Sequence, residues 1–322
     1  MAIISNCTAS VIQDAATSLI AGNLVAFPTE TVYGLGADAT NEKAVARIYE
    51  AKGRPTDHPL IVHISSTNSL NKWTKDIPEY AIKLARAFWP GPMTLILPRT
   101  ELAKDFITGG QDNVGVRVPA HTVALALLKE FESQGGYGIA APSANRFGKV
   151  SPTCAEDVNE ELSDYLIEND LVIDGGPSLV GVESTIINCT KSSPIILRPG
   201  GITAAMINDL LGIQIEVNTK VAANQIKAPG LLESHYSPRA SVFLSGEPLP
   251  GDGFIALSKY PTPRGVVRLA SPSNSFEYAN ILYSALRSGD NKNIKRIYVI
   301  PPSEDGIGMA ILDRLDRCKS VP

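Results

Sequence analysis

The chain has only four cysteines in 322 residues, and Cys7, Cys154, Cys189 and Cys318 lie far apart with no CxxC pair among them. That spacing argues against a structural zinc site and offers no disulfide framework. The four histidines, His58, His63, His121 and His235, form no metal-ligand pattern either. A basic excess is missing too: the formal net charge is -4, so bulk charge does not hold nucleic acid here, although a local basic groove stays open. No segment approaches about eighteen consecutive apolar residues, and the opening MAIISNCTASVIQDAA has no positive start, which together predict a soluble cytoplasmic protein without a membrane segment. Neither GxGxxG nor GxxxxGK[ST] occurs, so no dinucleotide fingerprint or P-loop is available to explain nucleotide binding.

With 44% hydrophobic and 19% charged residues, the chain has enough apolar surface for one large domain and one small one. Its pattern is α/β. From Ser10 to Ala21 apolar residues recur at helical spacing behind a serine cap, and Gly22 suits the helix end. Leu24 to Phe27 predicts a strand, after which Pro28 ends the ladder and Gly34 and Gly36 permit a tight turn. Thr29, Glu30 and Thr31 are thereby presented at a strand end, where open α/β sheets place ligands, or else form an ordinary polar turn. Thr40 or Asn41 caps the next helix.

That helix delivers the stretch KGRPTDHPLIVHI. Gly53 suits a left-handed helix cap and Pro55 forbids continuation, so Lys52 and Arg54 are predicted on a stiff loop facing a cleft, where two cations suit a phosphate. The alternative is a basic last turn that complements the helix dipole. His63 falls inside an apolar strand, Leu60 to Ile64, which suits a core histidine as well as a ligand contact. In NVGVRVPAH, Arg117 stands between valines, where its charge is tolerable only beside a cleft or a carboxylate. The loop APSANRFGKVSPT offers the neutral groups Ser143, Asn145, Ser151 and Thr153, for a ligand or for bonds to their own backbone. Three further apolar strands, in LVIDGG, GVESTIINC and IILRPGGI, carry Asp174, Glu183, Ser184, Thr185 and Arg198 at their ends, and repeated strand ends of this kind predict one shared cleft.

After a last strand at Gln214 to Val217, residues 219–240 have no usable periodicity and contain prolines. They predict a linker between domains at 1–218 and 241–322; His235 and Tyr236 in it suggest that it folds back over something, or else Tyr236 simply packs. From Ser241 short strands and two helices form a small α/β unit with no site motif of its own.

Taken together, PTETVYGLG, KGRP, PLIVHI, FWPGPMTL, VRVP, APSAN, SPT, GVESTI, LRPG and HYSP resemble the YrdC/Sua5 family of threonylcarbamoyl-AMP synthases, over most of residues 1–240 and, through the trailing domain, the longer Sua5-type members. The resemblance implies a YrdC-like twisted mixed sheet with a concave basic cleft, followed by a Rossmann-like domain. It implies that L-threonine, bicarbonate or CO2, and ATP give L-threonylcarbamoyladenylate and pyrophosphate, with Mg2+ on the ATP phosphates and no protein-held metal. It implies further that the product feeds tRNA threonylcarbamoyladenosine formation through a separate tRNA threonylcarbamoyl transferase, with at most a weak RNA contact. The family's KxR and SxN signature falls on Lys52, Arg54, Ser143 and Asn145. Positions similar to its threonine contacts are Thr31, His63, Arg117, Ala141 and Ser184, and positions similar to its ATP contacts are Arg54, His58, Asn113, Ser143, Ser151, Arg198 and Tyr236. Departures fall at His58, where the family often has Asn, at Asn113, where it often has Thr, and at Glu233 and Ser234 in the linker.

Overall fold

The computed structural model describes residues 3–219, 226–230 and 236–319. In chain order the first unit contains β1 (Ile3–Asn6), α1 (Ala9–Ile20), β2 (Val25–Phe27), β3 (Gly34–Asp38), α2 (Glu42–Lys52), β4 (Ile61–His63), α3 (Leu70–Trp73), α4 (Glu79–Phe88), β5 (Met93–Pro98) and α5 (Asp105–Thr108). It continues with β6 (Asn113–Arg117), α6 (Thr122–Ser133), β7 (Ile139–Ala140), α7 (Ala155–Leu162), β8 (Leu171–Asp174), β9 (Thr185–Asn188), β10 (Ile195–Arg198), α8 (Ala204–Leu211) and β11 (Glu216–Val217). The second unit contains β12 (Ser241–Phe243), β13 (Gly253–Ile255), β14 (Val267–Ala270), α9 (Ser275–Asn291), β15 (Arg296–Val299) and α10 (Gly308–Cys318).

One eleven-stranded sheet runs β1-β8-β2-β3-β7-β4-β6-β5-β9-β10-β11, and a separate four-stranded sheet runs β12-β15-β13-β14. The first is mixed: β4 and β6 pair parallel, while β5 and β6 and also β9 and β10 pair antiparallel. Every pairing of the second sheet is parallel. This is the α/β mixed-sheet architecture that the sequence led us to expect.

Local chemistry explains most element ends. Helix α2 starts where the Asn41 side chain accepts from the Ala44 N–H, and it stops at Gly53, whose φ of +61° is left-handed; this combination caps both ends. Helix α1 starts one turn's edge earlier than Ser10 suggested, because Thr8 is the residue whose hydroxyl accepts from Val11. It buries Ile12, Ala15, Ala16 and Leu19 against α6 in one apolar cluster.

Three features differ from the sequence reading. Gly34 and Gly36 belong to strand β3, paired antiparallel with β2, and the tight turn lies before them. The glycines are there for space: a Cβ on Gly36 would stand 2.8 Å from both Phe27 and Ile139. The end of the polar loop is helix α7, whose first-turn Glu156 and Asp157 favour a helix N-terminus. At the N-terminus, β1 finds its partner only in the distant β8.

The second unit docks through side chains of its helices. Asn280 donates to the main-chain oxygens of Ser178 and Leu179. The Arg287 guanidinium meets Asp157 and Glu161 of α7, and Arg314 reaches Glu183.

Candidate active site

One cleft gathers the ends of strands that are far apart in sequence. Parallel pairing sets the centre of its floor: His63 at the end of β4 stands in register with Arg117 at the end of β6. Thr31 enters from the turn before β3, Arg54 from the loop after α2, and Ala141 and Ser143 from the loop after β7. Ser184, just before β9, and Arg198, at the end of β10, form another wall, with Pro229, Gly230 and Tyr236 across it.

Arg198 and Arg54 are held by main-chain oxygens, Arg117 by a carboxylate. Arg198 donates from Nε and Nη2 to the Ser184 oxygen at 3.1 and 2.9 Å, and from Nη1 to Pro229 at 3.0 Å. Arg54 donates from Nη2 to Pro59 at 2.9 Å, and its buried Nε has no hydrogen-bond partner among the described residues. Burial lowers the Arg54 guanidinium to about 10, so it remains charged at neutral pH. Arg117 forms a 2.7 Å ion pair between Nη2 and Glu30 Oε1, both side chains being buried, although these two atoms are off-line for a hydrogen bond. Glu30 is itself fixed by the Ala120 N–H at 3.0 Å.

The neutral groups are equally constrained. Ser184 shares a 2.8 Å bond with Thr94 and accepts from Arg198 Nη2 at 3.1 Å. Thr31 and Thr29 share a 2.8 Å hydroxyl contact. Burial, and after it the Arg117 charge, pushes the His63 imidazole down to about 3, so it is neutral; its Nδ1 is buried without a hydrogen-bond partner among the described residues.

Thr31, Arg54, His63, Arg117, Ala141, Ser143, Ser184, Arg198 and Tyr236 therefore line the cleft as a group. The remaining nominated residues do not line it. Lys52 is buried at the end of α2, and its Nζ donates to the main-chain oxygens of Ser143, at 2.6 Å, and Asn145. This corrects the picture of Lys52 as a cation facing the cleft: burial and then the Arg54 charge push its ammonium well below the ordinary lysine value, and it clamps the loop that presents Ser143. Asn145 works on the same loop, donating to Arg146 and Lys149 oxygens at 2.8 Å. Ser151 donates to Glu183 at 2.6 Å. His58 lies beside Phe147, and Asn113 lines a neighbouring cavity that shares Ile61 and Pro229 with the main one. Glu233, Ser234 and His235 lie outside the described residues.

The sequence reading noted Glu183 at a strand end without assigning it to the site, yet it lines the cleft. Burial acts to raise its carboxyl, but Arg314 and Arg198 outweigh that and hold it at about 2. The sequence signal was available in an acid beside STI at a strand start; its partner was not.

The arrangement offers fixed guanidiniums, hydroxyls and a neutral imidazole, with no nucleophile and base pair among the described residues. It suits positioning and charge stabilisation of an anionic substrate. The molecule is thus a two-unit α/β protein whose cleft is lined by Arg54, Arg117 and Arg198. A family model described as Sua5_yciO_yrdC, telomere recombination, matches residues 17–200, and one described as threonylcarbamoyl-AMP synthase, C-terminal domain, matches residues 202–320. The chain belongs to the Sua5/YciO/YrdC family. It is 42% identical over 324 residues to a threonylcarbamoyl-AMP synthase of Pyrococcus abyssi, covering 95% of this chain and 93% of the relative. A Bacillus subtilis threonylcarbamoyl-AMP synthase is 39% identical, covering 94% of this chain and 91% of the relative. The solved structure of P. abyssi Sua5 complexed with L-threonine matches with a TM-score of 0.88 at 40% identity, over 99% of this chain and all of that one.

Proposed function

We propose that this chain is an L-threonylcarbamoyladenylate synthase, which makes the adenylate and pyrophosphate from L-threonine, bicarbonate or CO2, and ATP. The observation that carries the reading is the meeting of Arg54, Arg117 and Arg198 with Ser143 and Ser184 in one cleft, in a chain similar over nearly its full length to a Sua5 solved with L-threonine. Threonine's carboxylate pairs with Arg117, and Thr31, Ser184 and the neutral His63 hydrogen-bond the rest of the amino acid near Ala141. The neutral threonine amine attacks CO2: the N–C bond forms as a C=O π pair moves onto oxygen, and the nitrogen proton leaves to solvent, giving a carbamate. A carbamate oxygen then attacks the α-phosphorus, and the bond from that phosphorus to pyrophosphate breaks. Arg54, Arg198 and Ser143 bind and neutralise the phosphates, while Tyr236 covers the nucleotide and limits water, which matters because a carbamate decarboxylates in water.

Among the described residues no cluster of His, Cys, Asp and Glu is arranged to hold a metal ion, and the cleft carboxylate Glu183 is committed to Arg314. The donor set does not fit a resident Mg2+, so Mg2+ enters as a companion of the ATP phosphates. No helix among the described residues is long and apolar enough to cross a membrane. We place the reaction in the cytoplasm, with a tRNA threonylcarbamoyl transferase as the consumer of the product and only weak RNA contact. Incubation with ATP, Mg2+, labelled bicarbonate and each amino acid in turn, read by mass spectrometry, tests this. A labelled adenylate with threonine is the expected product; its absence rejects the activity.

A further inference from the structure

Two side chains of the C-terminal unit touch the cleft wall and Tyr236 across it at once. Arg314, on α10, is 1% exposed and donates from Nε to Glu183 Oε2 at 2.8 Å. The same guanidinium lies 5.4 Å from the centre of the Tyr236 ring. Tyr283, on α9, donates to Glu183 Oε2 at 2.9 Å, and its ring stacks on Tyr236 at 5.8 Å with a 22° interplanar angle. Glu183 and Tyr236 both line the cleft.

Simple docking does not require this chemistry. Burying a guanidinium is unfavourable unless geometry and hydrogen bonds are good, and apolar residues of similar size commonly dock as well or better. The guanidinium here is aimed at a cleft carboxylate. Tyr236 adds a second argument: its φ of +63° is left-handed, a conformation that a tyrosine keeps only where its surroundings impose it. Those surroundings include Tyr283 and Arg314.

We propose that Arg314 and Tyr283 are positioning residues of the cleft, which fix Glu183 and Tyr236 together so that the nucleotide end of the site is complete only with the C-terminal unit docked. The proposal rests on the reading of the cleft as an ATP site. The small unit, which carries no site motif in its sequence, thus acts through four contacts on two cleft residues. Glu183 and Arg198 both line the cleft; burial lowers the Arg198 guanidinium, and the Glu183 charge acts against that.

The test uses the full chain and its Arg314→Gln, Tyr283→Phe and Glu183→Gln variants, with Mg2+ and ATP as the probe in calorimetry and threonine-dependent pyrophosphate release as the activity. Loss of a charged hydrogen bond predicts a rise of about tenfold or more in the Kd and KM for ATP in Arg314→Gln. Binding of L-threonine without nucleotide stays within about twofold, because its contacts lie on the first unit's own strand ends. The Arg314→Gln/Glu183→Gln double variant is no weaker than the weaker single one, since both remove one connection. Tyr283→Phe keeps the stack and loses only the hydroxyl, so it decides the matter if Arg314→Gln does not fold. Unchanged ATP affinity in the folded variants, equal loss of threonine and ATP binding, or a wild-type chain that binds no ATP overturns the proposal. A wild-type chain that binds ATP but releases no pyrophosphate instead rejects the synthase reading, and the affinity ratios still judge Arg314 and Tyr283.

Discussion

The Nζ of Lys52 lies 2.6 Å from the main-chain oxygen of Ser143. A second bond to Asn145 makes this ammonium the clamp of the loop that aims Ser143 into the cleft. Lys52→Met keeps the apolar stem and leaves the buried Asn145 carbonyl and the partly buried Ser143 carbonyl without this donor, which is expected to destabilise the fold by roughly 1–3 kcal/mol. Displacement of the loop lowers turnover by about a hundredfold or more. Urea unfolding and pyrophosphate release check both; full turnover with reduced stability would detach the loop from catalysis.

Glu30 is poised differently, beside a cleft cation. Its ion pair with Arg117 at 2.7 Å is buried, and removal of its charge frees the guanidinium to turn away from the direction that suits a carboxylate. Glu30→Gln is expected to weaken L-threonine binding about tenfold, with a smaller effect on ATP affinity. Calorimetry with each ligand separates the two, and an equal loss for both would count against a role local to Arg117.

Acid should destabilise the chain in two steps. His63 is pushed to about 3 in the fold from an ordinary 6.5, so the unfolded state binds the extra proton between those values and stability falls as pH drops through that window. Glu183, held at about 2 against an ordinary 4.5, adds its own loss only below about pH 4.5. Between pH 6.5 and 4.5, His63→Gln should therefore flatten the slope of stability against pH, by at most about 1.4 kcal/mol per pH unit. An unchanged slope in denaturant titrations would contradict the buried neutral imidazole.

Two glycines predict different phenotypes. Gly36→Ala puts a Cβ 2.8 Å from Phe27 and Ile139 in the core, an overpacking expected to remove roughly 1–3 kcal/mol of stability. Gly230 has a φ of +79°, and a Cβ there would overlap the Tyr236 hydroxyl. Gly230→Ala should displace Tyr236 and raise the KM for ATP about tenfold, with a loss of stability as well, because Gly230 is buried and its φ is left-handed. A lowered melting temperature with normal KM would show that this contact supports the fold and not the site.

Much of this was legible in the chain itself. Asn41, Gly53 and Pro55 announce both ends of α2 and the loop carrying Arg54, because caps are local chemistry. Arg117 between valines and Arg198 at a strand end mark themselves by charge in apolar surroundings. Strand β3 was hidden, since its glycines serve the close packing of Phe27 and Ile139 and carry no strand propensity of their own. Helix α7 was hidden by its polar composition.

The sequence by itself determined which groups are available: guanidiniums, hydroxyls and an imidazole at the ends of apolar strands, with family motifs around them. Tertiary structure alone decided their duties. Lys52 and Arg54 stand two residues apart, yet one is bonded into a loop and the other lines the cleft, and Glu183 meets Arg314 across 131 positions of chain. Side-chain direction and long-range docking are set by packing among distant segments, and no local pattern of residues encodes them.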